Sequence, residues 1–217
     1  MNMGMAMPSW YDITGLDERS NEECRGITES RNTISSILKE EHEKNGLAYN
    51  RMVLMGFSQG GALSLFTGLQ LEKEQKLAGL VVLSGYLAGS KHFKLTNGLE
   101  DTPIFHGHGT ADPMVIYAMA TKTQQMVQAL GVTNYSLKPY QGMQHTVIPE
   151  EIQNVAAFLQ QVIPEDANSF VRVKDPSEMS VKELKAAIRN AGLGSKAVGL
   201  MEKSEFVKLL QEYRNSN

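Results

Sequence analysis

Met52-Val53-Leu54-Met55 is an apolar run, and Gly56-Phe57-Ser58-Gln59-Gly60-Gly61 follows it directly. Beyond lie Ala62, Leu63, Leu65, Phe66 and Leu69, spaced as the buried face of a helix. Strand, tight turn, then helix is the setting in which G-x-S-x-G folds as a sharp turn with the serine at its apex. The residue types follow from sterics. A serine there takes a strained backbone conformation, so the residues two positions away must be small. Gly56 and Gly60 meet that need, and Gly61 lets the helix approach the sheet. The Gln59 amide falls at a helix N-terminus, free to donate to a developing oxyanion. Alone, the pattern also fits a glycine-rich turn carrying a surface serine, so the remaining chain has to discriminate.

The rest of the chain alternates. Pro8 to Ile13 reads as a loop entering a short strand bounded by Gly15. Asn21 to Lys44 has helical spacing, with Ile27, Ile34, Ile37 and Leu38 on one stripe, and Asn45-Gly46 stops it. Strands are expected at Arg51–Met55, Leu80–Leu83, Pro103–Gly107 and Asn134–Tyr140. Helices are expected at Gly61–Glu74, Met114–Leu130 and Pro149–Val162. Such alternation implies a mostly parallel sheet with helices on its faces, an α/β class. In such sheets the chemistry gathers in loops beyond the carboxyl ends of the strands.

Those loops carry Ser58, then Asp112 in His108-Gly109-Thr110-Ala111-Asp112-Pro113, then His145 in Gln141-Gly142-Met143-Gln144-His145. Serine, aspartate, histidine is the chain order of the α/β-hydrolase fold. A serine alkoxide is not available at neutral pH, so an imidazole must take the proton and a carboxylate must orient that imidazole. Asp101 precedes a strand and does not suit that role. His106 and His108 form an H-x-H pair, but no cysteine or acidic cluster stands at ligand spacing. They read as loop-packing residues rather than as metal ligands, and no metal or cofactor is called for. His42 and His92 read as surface, and the 12 methionines as core filler.

Composition excludes other classes. The net charge of −3 is unlike a dedicated nucleic-acid binder, and no apolar run reaches membrane-span length. Cys24, read as a helix residue without chemistry, is the single cysteine, so an internal disulfide is impossible. With no signal-peptide pattern at the N-terminus, a reducing, cytoplasmic setting is expected.

Five segments together resemble the acyl-protein thioesterase, or lysophospholipase/carboxylesterase, family. They are Met7-Pro8-Ser9-Trp10-Tyr11-Asp12-Ile13, the stretch from Gly56 to Leu65, Leu77 to Leu87, His108 to Val115, and Tyr140 to His145. The resemblance spans about residues 2 to 164. It implies hydrolysis of long-chain acyl thioesters on S-acylated proteins, and of lysophospholipids or small esters. It makes Ser58 the nucleophile, His145 the general base and then acid, Asp112 the orienting carboxylate, and Gln59 an oxyanion donor. It places Trp10 and Leu87 beside the acyl channel. Thr110, Ile116 and Thr146 stand where relatives usually carry Asp, Pro and Ser. The family's first strands, with a His-Gly-Leu-Gly-Asp-type loop supplying a second oxyanion amide, would lie upstream of Met1. The expectation is an α/β-hydrolase lacking its first strands. The alternative is a truncated, inactive relative that binds proteins.

The tail differs. Residues 1–164 form the expected catalytic domain and 165–179 a linker. Residues 180–217 form a small all-α module, with Ser180 and Glu183 in capping-box positions. Val181, Leu184, Ala187 and Ile188 make one stripe, and Phe206, Leu209, Leu210 and Tyr213 another. This helix–loop–helix is similar to the SAP-like module that ends the mesencephalic astrocyte-derived neurotrophic factor family. From residue 170 on, 9 Lys/Arg face 6 Asp/Glu, which leaves 12 against 18 for the remainder. That surplus is thin for DNA, so the module is expected to meet a protein partner.

Overall fold

Four short strands, Val53–Phe57 (β1), Gly79–Leu83 (β2), Ile104–Gly109 (β3) and Tyr135–Tyr140 (β4), lie side by side in chain order, every neighbour parallel. Val53 pairs with Gly79, Leu80 with Ile104, and Ile104 with Tyr135. The computed structural model describes residues 8–15, 22–165 and 175–216, in two units, Met1–Ser169 and Phe170–Asn217. In the first, helices Ile27–Asn45 (α1), Gln59–Gly68 (α2), Tyr117–Ala129 (α3) and Pro149–Val162 (α4) accompany the sheet. Parallel strands need crossovers, and α2 and α3 supply those after β1 and β3.

All five residues of β2 are buried, which is why Gly-Leu-Val-Val-Leu shows no polar alternation. The larger core holds Leu80, Val82 and Ile104 with Leu65 and Phe66 of α2, Leu69 just past its end, and Ile27 and Leu38 of α1. A second cluster sets Val81, Leu83 and Phe105 against Val155, Phe158 and Leu159 of α4. At β1 the cover thins, and Met55 and Phe57 are exposed.

Several expectations need correction. Asp12 and Ile13 form no strand; the Asp12 N–H donates to the Arg25 carbonyl instead. Helix α1 begins at Ile27 behind Gly26, later than expected, so Cys24 is a buried turn residue with φ 44°. Ile37 is 50% exposed, so the inward stripe is Ile27, Ile34 and Leu38. Strand β3 runs on to Gly109, which places His106 and His108 inside the sheet rather than in a loop. Residues 1–7, among them Met7 of the Met7–Ile13 segment, and Asn21 lie outside the described residues, as does most of the expected linker. Among the described residues no helix is long and apolar enough to cross a membrane.

In the second unit, Val181–Asn190 (α5) and Lys203–Ser216 (α6) enclose Leu184, Ile188, Leu193, Phe206 and Leu210. Ser180 and Glu183 make both bonds of a capping box, and Gly192 turns the chain at φ 71°. Val181 and Tyr213, expected inside, are 39% and 38% exposed.

Glu151, in the first turn of α4, is fully buried, and neither carboxyl oxygen has a hydrogen-bond partner among the described residues. It sits on β3: a Cβ at Gly107 would lie 2.2 Å from its Oε1. Burial pushes this carboxyl up from the ordinary 4.5 to about 7. Between those values the folded chain holds a proton that the unfolded chain has released, so stability falls as pH rises through the window. Glu151→Gln should remove that slope and stabilise the fold at pH 8 by roughly 1–3 kcal/mol, with little gain at pH 5. Urea melts at the two pH values check this; equal gains at both would contradict it.

Candidate active site

Ser58 joins β1 to α2 at φ 54°, ψ −117°, a conformation that side chains rarely adopt. The turn is tight because Gly56 and Gly60 meet: a Cβ on Gly56 would lie 2.2 Å from the Gly60 carbonyl carbon. A Cβ on Gly61 would lie 2.8 Å from the Gly56 oxygen and 3.3 Å from the Leu83 nitrogen, so this glycine brings α2 down to the sheet. At Gly60 a Cβ would meet nothing within 4 Å among the described residues, so only Gly56 of the expected pair is sterically required there. The Ser58 N–H donates to the Leu83 carbonyl at 2.7 Å, extending the ladder by one residue past β1. Gln59 is the first residue of α2, and no helical carbonyl is in position to take its N–H.

Asp112 and His145 come from the loops that follow β3 and β4. The two loops are laced together: Ala111 N–H donates to Met143 O at 3.1 Å, and Gly142 N–H to Thr110 Oγ1 at 2.9 Å. A Cβ on Gly109 would fall 2.0 Å from Met143 O, so the close approach needs glycine. Asp112 is buried. Its Oδ1 accepts from the amides of Met114 (2.8 Å) and Val115 (2.9 Å), and its Oδ2 from His145 Nδ1 at 2.7 Å. The other nitrogen of that ring, Nε2, lies 2.9 Å from Ser58 Oγ. Because Nδ1 must carry the proton it gives to a carboxylate, Nε2 of a neutral ring is bare and accepts from the serine hydroxyl. The His145 side chain is 18% exposed, open to a substrate, and the Phe57 ring leans on it at 4.8 Å.

Ser58, Asp112 and His145 are thus brought together, and Asp101 stands elsewhere, paired with Lys76. Trp10 is 45% exposed beside the turn: its backbone N–H donates to Gln59 Oε1 (3.0 Å), while Gln59 Nε2 donates to the Tyr11 carbonyl (2.8 Å). Sequence reasoning missed this clamp, because it used only the backbone of Gln59. Leu87 is buried and lines a cavity of about 80 Å³ with Tyr86, Met119, Thr123 and Met126, whose wall does not include Trp10.

His106 and His108 are fully buried, and all four of their ring nitrogens have partners. His106 meets the Tyr135 hydroxyl at 2.7 Å and His108 at 3.2 Å, and His108 meets the Val115 carbonyl at 2.7 Å. Burial, with His108 alongside, drives His106 down to about 3, and burial lowers His108 as well. Period-2 spacing inside a strand is the signal that would have placed both rings on one buried face.

Residues 1–163 match the phospholipase/carboxylesterase family. The chain is 36% identical over 177 residues to acyl-protein thioesterase 1 of Emericella nidulans, covering 76% of this chain and 72% of that protein. It is 39% identical over 176 residues to acyl-protein thioesterase 1 of Neurospora crassa, with 77% and 70% covered. Among solved structures, Arabidopsis thaliana SOBER1 superposes with a TM-score of 0.63 at 26% identity, over 75% of this chain and 77% of that one. Strand–turn–helix at Ser58, a parallel sheet that gathers the following loops, and this collinear similarity agree: the chain belongs to the phospholipase/carboxylesterase family and is an enzyme of the serine-hydrolase class.

Proposed function

We propose that the protein removes long-chain acyl groups from S-acylated proteins by hydrolysing the thioester, and that lysophospholipids or small carboxylesters are further substrates. One observation carries this reading: a single imidazole, His145, spans Ser58 and Asp112 at 2.9 and 2.7 Å. The fungal relatives named acyl-protein thioesterase 1 supply the substrate class.

In this reading Ser58 Oγ attacks the thioester carbonyl while His145 Nε2 takes its proton. The imidazolium is stabilised by Asp112, whose two backbone donors hold it in place. The oxygen that becomes negative is met by the Gln59 N–H. The C–S bond then breaks, His145 returns the proton to the departing thiolate, and the acyl group stays on Ser58. Water, deprotonated by the same ring, attacks that ester, and the ring returns the proton to Ser58 Oγ as the fatty acid leaves. These steps need no cofactor.

The acyl chain needs an apolar surface, since each methylene removed from water is worth about 0.8 kcal/mol. Trp10, exposed and clamped to Gln59, and Leu87 are proposed to border it. The C-terminal unit is proposed to be a SAP-like module that engages a protein partner; its helix pair, capping box and modest charge surplus support this reading.

A fluorophosphonate probe should label the wild-type chain at Ser58, and Ser58→Ala should abolish both labelling and release of palmitate from a palmitoyl-cysteine peptide. Asp112→Asn should lower kcat by on the order of 10³–10⁴. Absence of labelling in a folded wild-type protein would sink the reading. For the acyl surface, Trp10→Ala should raise KM for a palmitoyl substrate several-fold while leaving an acetyl ester unaffected. Equal changes for both chain lengths would remove Trp10 from the acyl path.

A further inference from the structure

The two histidines inside β3 are not isolated from the site. From Tyr135, hydrogen bonds run through His106 and His108 to the carbonyl of Val115, the residue whose own N–H donates to Asp112 Oδ1. Each link fixes the next. A carbonyl can only accept, so His108 Nε2 must carry a hydrogen. A neutral His108 then has a bare Nδ1, which must receive its hydrogen from His106 Nε2. A neutral His106 then has a bare Nδ1, which the Tyr135 hydroxyl supplies. Burial keeps both rings neutral and pushes the Tyr135 phenol up, so that it stays a donor. The protons therefore all point one way, from Tyr135 on β4 toward the loop that carries Asp112.

The far end of this row reaches the carboxylate itself. His108 Nε2 stands 3.7 Å from Asp112 Oδ2, the oxygen that accepts from His145, while its bond to Val115 O holds the turn from Asp112 to Val115 closed. The other groups about these rings are the Gly85 backbone, hydrogen-bonded to His106, the His145 ring, whose charge would lower His108, and the Tyr117 ring, edge-on to His108 at 6.0 Å. Packing alone would be served as well by apolar side chains, because burying a neutral polar ring stabilises only when its hydrogen bonds are made.

Resting on the reading of Asp112 as the orienting carboxylate, we propose that His108 is a positioning residue that holds Asp112 against His145, and that His106 and Tyr135 act through it by fixing its tautomer. Reversing His106 would set two bare nitrogens face to face unless His108 reversed as well, and a reversed His108 would turn a bare nitrogen toward the Val115 carbonyl and the Asp112 carboxylate, two acceptors that would repel it. The Asp112 turn would then open, and His145 would lose its partner.

The test begins with the unaltered protein. Imidazole ¹⁵N NMR from pH 6 to 8 should show His106 and His108 neutral, both with hydrogen on Nε2; hydrogen on Nδ1 of either ring would overturn the proposal. Kinetics follow with a palmitoyl-cysteine peptide. His108→Phe should lower kcat at least tenfold with KM within about twofold, as expected for an interaction felt mainly in the transition state. It should also move the acid limb of kcat/KM to lower pH, because an imidazolium deprived of its carboxylate forms less readily. His108→Gln, which retains an N–H donor, should recover most of kcat and the position of the limb. Tyr135→Phe removes a single oxygen and carries the same test if His108→Phe does not fold: a lower kcat and a limb moved the same way. Wild-type kcat, or a lowered kcat with an unmoved acid limb, in folded variants would overturn the proposal while leaving the Ser58 reading intact. An inactive wild type, or an active Ser58→Ala, would instead remove that underlying reading.

Discussion

Helix α2 can begin at Gln59 only because the chain at Ser58 turns back on itself within hydrogen-bonding distance of β2. Two features hold that turn. The Gly60 and Gly61 backbones occupy space that a Cβ on Gly56 would need, and the Ser58 N–H is tied to Leu83 O at 2.7 Å. The backbone strain at Ser58, of order 1–3 kcal/mol, is offset by the buried contacts of α2, in which Ala62, Leu65 and Phe66 are fully enclosed. The serine hydroxyl therefore projects from the end of β1. Because every strand runs the same way, the loops after β3 and β4 open on that same rim. The lacing of Thr110 and Ala111 to Gly142 and Met143 then sets the distance between Asp112 and His145.

Much of this could be read from residue order, and the misreadings share a cause. Helix α4 was legible to the residue: Pro149 fixes the first turn, Glu150 and Glu151 follow, and Val155, Phe158 and Leu159 recur at helical spacing. Strand β2 was legible because only a strand covered on both faces tolerates Gly-Leu-Val-Val-Leu. The expected strand stopped at Gly107, short of His108-Gly109, because glycine and histidine carry no β signal by themselves. Their place in the sheet is dictated by neighbours: Gly109 pairs with Tyr140, and Gly107 leaves room for Glu151. Likewise Ile13 and Ile37 have the hydrophobicity of core residues, and nothing local shows that no strand pairs with the first or that the second points to solvent. The order of Ser58, Asp112 and His145 was visible. The clamp of Gln59 on Trp10 and Tyr11 was not, because it is a contact across 48 and 49 positions.

Two buried carboxyls show how donor supply divides the roles available to acidic residues in this fold. Asp112 lies in a loop, where amides not committed to the sheet can turn inward, and it collects two of them together with an imidazole N–H. Glu151 lies on a helix pressed against the middle of β3, where the amides of the strand are already committed to their neighbours, and it collects none among the described residues. Sequence position alone would assign Glu151 to solvent or to charge pairing. The burial cost is similar in kind, yet one site is built for an anion and the other favours the protonated acid.

His106 and His108 face the same constraint and meet it differently. A neutral imidazole is both donor and acceptor, so a row of them can satisfy every nitrogen without any net charge, provided that each ring takes the tautomer its neighbour requires. The row must therefore start on a group that donates and end on one that accepts; Tyr135 and the Val115 carbonyl are those ends. An apolar pair in the same place would pack but would leave the Val115 carbonyl without this partner. Placing the accepting end on the Asp112 loop is thus what joins the interior of the sheet to the residue that faces His145.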